Sequence, residues 1–235
     1  MTELPEQQDA PIRLFLVDDQ ELVRAGFRMV LDAQADMTVV GEAGDGAAAV
    51  QAIPAARPDV VLMDIRMPRM DGVQATRRLT DAGPDPKVLV LTTFDLDEYA
   101  YAALRAGASG FLLKDAGPAE LLAAIHAVHR GDAVVAPSTT RRMLERFVEH
   151  LPEGGPGSVG TAERAARARL APLTDREREV LVAVGRGLSN TEIAAELHLA
   201  EATVKTHIGR ILHKLGLRDR VQMVITAYET GLAGR

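Results

Sequence analysis

Along the first 130 residues two hydrophobic patterns alternate. Short runs rich in Val, Ile, Leu and Met occur at IRLFLV (12–17), MTVVGEA (37–43), DVVLM (59–63), KVLVLT (87–92) and SGFLL (109–113). Between them, Gln20–Ala33, Gly46–Ala56, Gly72–Thr80, Leu96–Ala106 and Pro118–Arg130 repeat apolar residues with helical spacing. Five such β and α units predict a parallel sheet with helices on both faces, a doubly wound α/β fold. Strands as apolar as Val60–Met63 and Leu89–Leu91 are what a sheet buried on both sides requires.

Beyond the fifth helix a weaker helical pattern covers Ser138–His150. The stretch LPEGGPGSVGTAERAARARL then holds Pro152, Gly154, Gly155, Pro156, Gly157 and Gly160, which reads as a linker. From Leu173 onward everything is helical. Thr174, with Glu177 three residues later, forms a capping box. A short helix at Asn190–Leu197, a tight turn and a longer basic helix at Ala202–Leu215 outline a helix-turn-helix, and Arg220–Glu229 follows. Val204, Ile208, Ile211, Leu212 and Leu215 recur at core spacing. Gly209 lies inside this helix, where glycine costs about 1 kcal/mol. The expected division is 12–131 for the α/β domain, 132–169 for a linker with a helix near 138–150, and 170–235 for the helical domain.

Composition sharpens this outline. The 235 residues favour two domains. The chain has no cysteine, which excludes disulfides, thiolate metal sites and cysteine nucleophiles. The acidic start MTELPEQQDAP lacks the features of a signal peptide, and no apolar run approaches the roughly 20 residues of a membrane span. An intracellular protein with no membrane partner, working in the cytoplasm, is expected. The net charge of −6 is unevenly spread: residues 1–169 hold 18 basic and 25 acidic side chains, residues 170–235 hold 9 and 8. Within Glu201–Arg220 five basic residues face two acidic ones, with His207 and His213 besides. That local stripe suits a polyanion as well as it suits a solvated helix face.

The chemistry gathers at strand ends. The first strand runs into Asp18 and Asp19, the third into Asp64, the fourth into Thr92 and Thr93, and the fifth leads to Lys114. In an open parallel sheet ligands bind beyond these ends, where the strand order reverses. Taken singly, an acid after a strand is more often a helix cap and a lysine a solvated surface group; the conjunction at four strand ends outweighs those readings. Three adjacent carboxylates repel, and a hard divalent cation, Mg²⁺, is the economical neutraliser. A carboxylate is a known phosphoryl acceptor. Asp64 would be the nucleophile, Asp19 a metal ligand, and Asp18 a ligand directly or through water. Lys114 and Thr92 would contact the phosphoryl group. The turn GEAGDG (41–46) also follows a strand and precedes a helix, but it lacks the G-x-G-x-x-G order of a dinucleotide loop.

VDD (17–19), VLMDIRMPRMDG (61–72), LTT (91–93) and FLLKD (111–115) together resemble the receiver domain of two-component response regulators over residues 12–131. That resemblance implies a flavodoxin-like five-stranded sheet and phosphorylation of Asp64 by a histidine kinase. It places Mg²⁺ on Asp19, Asp64 and the backbone carbonyl of Arg66 with Asp18 close by, and makes Thr92 and Phe111 a switch pair. Residues 173–220 resemble the LuxR-type helix-turn-helix, a four-helix unit that binds double-stranded DNA as a dimer. By that resemblance Lys205, Thr206 and His207 face the groove, and Thr203, Arg210 and Lys214 are candidates for backbone phosphates. The joint expectation is a phosphorylation-switched transcription regulator. It is not an enzyme in the ordinary sense, although its receiver assists its own aspartyl phosphorylation and dephosphorylation. It would dimerise through the face around the fourth helix, fifth strand and fifth helix, or through Arg220–Glu229. Two other classes compete: a Mg²⁺-dependent phosphohydrolase, against which Arg66 stands where such enzymes often need a second acid, and a phosphorylation-independent adaptor, against which the intact acid pair, Thr92 and Lys114 stand.

Overall fold

The computed structural model describes residues 10–83, 86–92, 97–131 and 168–233. The helix expected near 138–150 and most of the proposed linker lie outside the described residues.

Five parallel strands, β1 (Ile12–Val17), β2 (Met37–Ala43), β3 (Val60–Asp64), β4 (Lys87–Thr92) and β5 (Gly110–Leu113), form one sheet in the order β2-β1-β3-β4-β5. They alternate with α1 (Glu21–Asp32), α2 (Gly46–Ala56), α3 (Gly72–Ala82), α4 (Asp97–Arg105) and α5 (Pro118–Arg130). Side chains of successive strand residues leave the sheet on opposite faces. Phe15, Val17, Val61, Met63, Val88 and Val90 pack with Ala49 and Ile53 of α2 and Ala75 and Leu79 of α3. Leu14, Leu16, Val60, Leu62, Leu89 and Leu91 pack with Leu31 of α1 and Leu121, Ile125 and Val128 of α5. Both faces are covered, which accounts for the continuous apolar strands.

The order reverses beside β1, with β2 on one side and β3 on the other. Register then does the positioning: Val17 lies opposite Met63, so Asp18 and Asp64 leave neighbouring strands at the same level. Asp64 lies opposite Leu91, and Thr92 opposite Leu113, so Thr92 and Lys114 project just beyond the same edge.

The C-terminal region comprises α6 (Asp175–Gly185), α7 (Asn190–Glu196), α8 (Glu201–Leu215) and α9 (Arg220–Glu229). Thr174, Ser189 and Asp219 cap α6, α7 and α9 with side-chain oxygens that accept backbone amides. Val180, Leu181, Val184, Ile193, Val204, Ile211, Met223 and Val224 form its core, with Ile208, Leu212 and Leu215 packed against it. Helix α9 has a second apolar face. Val221 and Ile225 join the α/β core beside Ala103 and Leu104 of α4. Arg218 donates to the carbonyls of Pro86 at 2.7 Å and Gly107 at 3.3 Å, and Gln222 Nε2 donates to that of Leu104 at 2.9 Å. Arg105 lies 3.8 Å from Glu229 across the same contact.

Candidate functional site

Asp18 follows β1 and is almost wholly buried. Its Oδ1 accepts the Gln20 amide at 2.9 Å, and its carbonyl accepts Arg24 at 2.6 Å. Asp64 ends β3 with 5 % of its surface exposed, whereas Asp19 faces solvent. One oxygen from each of Asp18, Asp19 and Asp64 lies within 4.8 Å of the others. Three carboxylate oxygens gathered this closely can share one cation, and an all-oxygen donor set suits a small hard one such as Mg²⁺.

The buried charge is met by Lys114, whose Nζ lies 2.6 Å from Asp18 Oδ2 and 2.9 Å from Asp64 Oδ2. Burial pushes the Asp64 carboxyl above its ordinary range and the Asp18 charge adds to the rise, while Lys114 and the Ile65 amide oppose it. Burial would lower the Lys114 ammonium, but its two carboxylate partners outweigh burial and raise it. The lysine thus already neutralises part of what the sequence assigned to a cation alone.

Thr92 is buried at the end of β4. Phe111 is buried within the α/β core, already turned inward. Arg66 lies on the exposed loop after β3, which turns where the Met70 amide donates to the Pro68 carbonyl at 2.8 Å. The structure therefore brings Asp18, Asp19, Asp64 and Lys114 into direct proximity and aligns Thr92 with them by register.

On α8, Thr203, Lys205, Thr206 and Arg210 are exposed and His207 is half-buried with Nδ1 enclosed. Lys205 pairs with Glu201 at 3.3 Å, and the Thr206 hydroxyl donates to the Ala202 carbonyl at 2.9 Å. Lys214 is turned toward α6, its Nζ 2.7 Å from Glu177 Oε2. Residues that the sequence did not reveal are Asp45 and Arg69, paired with each other, Arg218 and Gln222, which bond carbonyls of the α/β domain, and Asp219, buried beside them as the cap of α9. Asp45 before Gly46 carried a legible cap signal; the cross-chain pairings carried none.

Residues 14–126 match the response regulator receiver domain family, and residues 171–227 match the bacterial regulatory proteins of the luxR family. An uncharacterized transcriptional regulatory protein, YxjL of Bacillus subtilis, is 43% identical over 221 residues, covering 94% of this chain and 97% of its own. The transcriptional regulatory protein LnrK of Bacillus subtilis is 38% identical over 222 residues, covering 94% and 99%. The chain is a response regulator. It joins a receiver to a LuxR-type DNA-binding domain and belongs with the transcription regulators built that way. Among solved structures, the response regulator ChrA of a heme-sensing two-component system matches with a TM-score of 0.51 and 38% identity, over 95% of the regulator and all of ChrA (100%). No helix among the regulator's described residues is long and apolar enough to cross a membrane.

Proposed function

We propose that the regulator is switched by phosphorylation of Asp64 from the phosphohistidine of a partner histidine kinase, and that the switch controls dimerisation and binding to double-stranded DNA in the cytoplasm. The working division is receiver 12–131, linker 132–169 and DNA-binding domain 170–235. The observation that carries this reading is the buried Asp64 carboxylate at the β1/β3 switch point, held with Asp18 by Lys114.

In the transfer, an Asp64 oxygen bonds to phosphorus as the bond from phosphorus to the donor imidazole breaks, and the imidazole leaves as a neutral group after taking a proton. Asp19, Asp64 and the Arg66 carbonyl would hold Mg²⁺, with Asp18 direct or through water; when bound, the ion neutralises charge on the phosphoryl oxygens. Lys114 is placed to leave Asp18 and follow the transferred group, and Thr92 to donate to one of its oxygens. Since Phe111 is already buried, the Thr92–Phe111 switch has little inward travel at the aromatic end.

On the DNA side, Lys205, Thr206 and His207 would face the major groove, with Thr203 and Arg210 at phosphates. Lys214 can join them only by leaving Glu177. Helix α9, one of the two candidate dimer surfaces, is packed against α4 of the other. Dimerisation through either face therefore requires the domains to part, which supports a closed resting form opened by phosphorylation.

Incubation with Mg²⁺ and a small phosphodonor is expected to add one phosphoryl group to the intact protein and none to Asp64→Asn. Labelling that persists in the variant removes Asp64 from the mechanism.

A further inference from the structure

The turn between β2 and α2, which does not make a dinucleotide loop, meets the loop that follows the phosphoacceptor strand. Asp45 caps α2 through Oδ1, which accepts the Ala47 and Ala48 amides at 2.8 and 2.9 Å. Its Oδ2 holds the guanidinium of Arg69. The Gly46 amide donates to the Met70 carbonyl at 3.2 Å, and a Cβ on Gly46 would lie 2.7 Å from that oxygen. Two adjacent residues of one loop thus grip two adjacent residues of the other.

The base of the second loop is closed as tightly. The Gly72 amide donates to the Ile65 carbonyl at 2.8 Å, and a Cβ on Gly72 would fall 2.0 Å from the Asp64 carbonyl oxygen. Arg66 lies between the closed base and the gripped tip. Arg69 itself has φ +67, a left-handed backbone that a side-chain-bearing residue adopts only when its surroundings impose it. Its side chain is 75% exposed and reaches the enclosed carboxylate of Asp45, 2% exposed, while backbone bonds from Gly46 to the Met70 carbonyl and from Met70 to the Pro68 carbonyl hold the turn around it.

We infer that Asp45 and Arg69 are positioning residues for the metal site: their ion pair fixes the loop in the shape that presents the Arg66 carbonyl beside Asp64. This rests on the reading that this carbonyl is a Mg²⁺ ligand. A backbone carbonyl has no rotamers, so its place is set only by the loop. Mg²⁺ demands near-octahedral geometry at short distances, and a shifted ligand is poorly tolerated. Partners that orient metal ligands typically change affinity by about 10–100-fold. A surface ion pair without that role contributes little and would leave metal binding alone.

The test is Mg²⁺ titration of the full-length regulator by calorimetry, without phosphodonor. Arg69→Ala keeps the Asp45 cap of α2 and is expected to melt like the wild type while its Mg²⁺ affinity falls roughly tenfold. Arg69→Lys should restore part of the loss, and Arg69→Gly, which eases the left-handed backbone but lacks the cation, should not. Asp45→Asn retains the cap acceptor and should weaken Mg²⁺ in the same direction. At saturating Mg²⁺, labelling of Arg69→Ala should return to the wild-type rate, separating a shifted ligand from a damaged acceptor. Wild-type Mg²⁺ affinity in Arg69→Ala overturns the positioning role while leaving the phosphorylation reading intact. Loss of Mg²⁺ binding in Asp19→Asn, with Asp64→Asn unlabelled, shows that reading independently; a wild-type protein that binds no Mg²⁺ overturns both.

Discussion

Lys114 stands between two enclosed carboxylates, and removing its charge leaves them facing each other. Breaking a buried ion pair from one side typically costs about 3–5 kcal/mol. Lys114→Met is expected to be destabilised toward the lower end of that range at neutral pH, because Lys114 retains some contact with solvent. The pH dependence has a fixed sign. Without the ammonium, the Asp64 carboxyl, already raised by burial, rises further. A raised carboxyl stabilises the fold fully below its unfolded value and loses that contribution as pH climbs through the folded value. The gap between variant and wild type in urea unfolding should therefore be wider at pH 7 than at pH 5. A gap that is equal or reversed would show that Lys114 does not neutralise this site. At this scale Asp18, Asp19, Asp64, Thr92 and Lys114 were legible because each follows an apolar run that ends at one sheet edge. Asp45 and Arg69 were not, since nothing in their local sequence marks a pairing between separate loops.

At the scale of elements, helix α8 shows what periodicity can and cannot reveal. Its core stripe was plain from the spacing of Val204, Ile208, Ile211 and Leu215. The fate of Lys214 was not, because Glu177 reaches it from α6, 37 residues earlier. Gly209 lies on the outward side of the same helix, and a Cβ there meets nothing within 4 Å. Neither space nor a left-handed backbone requires glycine at that position. Gly209→Ala should therefore stabilise the DNA-binding domain by about 1 kcal/mol, seen as a higher melting temperature. No rise, or a fall, would mean that the helix is not formed there in solution. Strand and helix ends differ from the sequence reading by a residue or two where pairing or capping decides them. β3 extends to Asp64 because that residue still pairs with Leu91, and α3 runs to Ala82 rather than stopping at Thr80.

For the whole molecule, the doubly wound topology followed from alternating patterns, but the docking of α9 on α4 did not. Each face of α9 has its own core: Met223, Val224 and Ala227 meet α6 and its neighbours, while Val221 and Ile225 meet the receiver. A helix apolar on two sides hints at two partners, yet only the assembled chain identifies them. Asp219, at the start of α9, is buried in this contact, and burial pushes its carboxyl up, against the opposing influence of Ser109, the Gln222 amide, Arg218 and Lys87. A carboxyl raised on closure favours the closed form in full below its open-state value, and that support is lost as pH rises through the closed-state value. Enclosing the carboxyl therefore costs more as pH rises above its open-state value. Asp219→Asn stays uncharged and can still cap α9, so it should hold the domains together and weaken DNA binding by the unphosphorylated regulator, roughly fivefold. Arg218→Ala loses the guanidinium bonds to the Pro86 and Gly107 carbonyls and should do the reverse. Its radius of gyration in solution scattering should rise and its DNA affinity increase by roughly tenfold. Opposite shifts in the two variants would make the α4–α9 contact a restraint on DNA binding; equal affinities and equal scattering profiles would reduce it to a passive contact between neighbours.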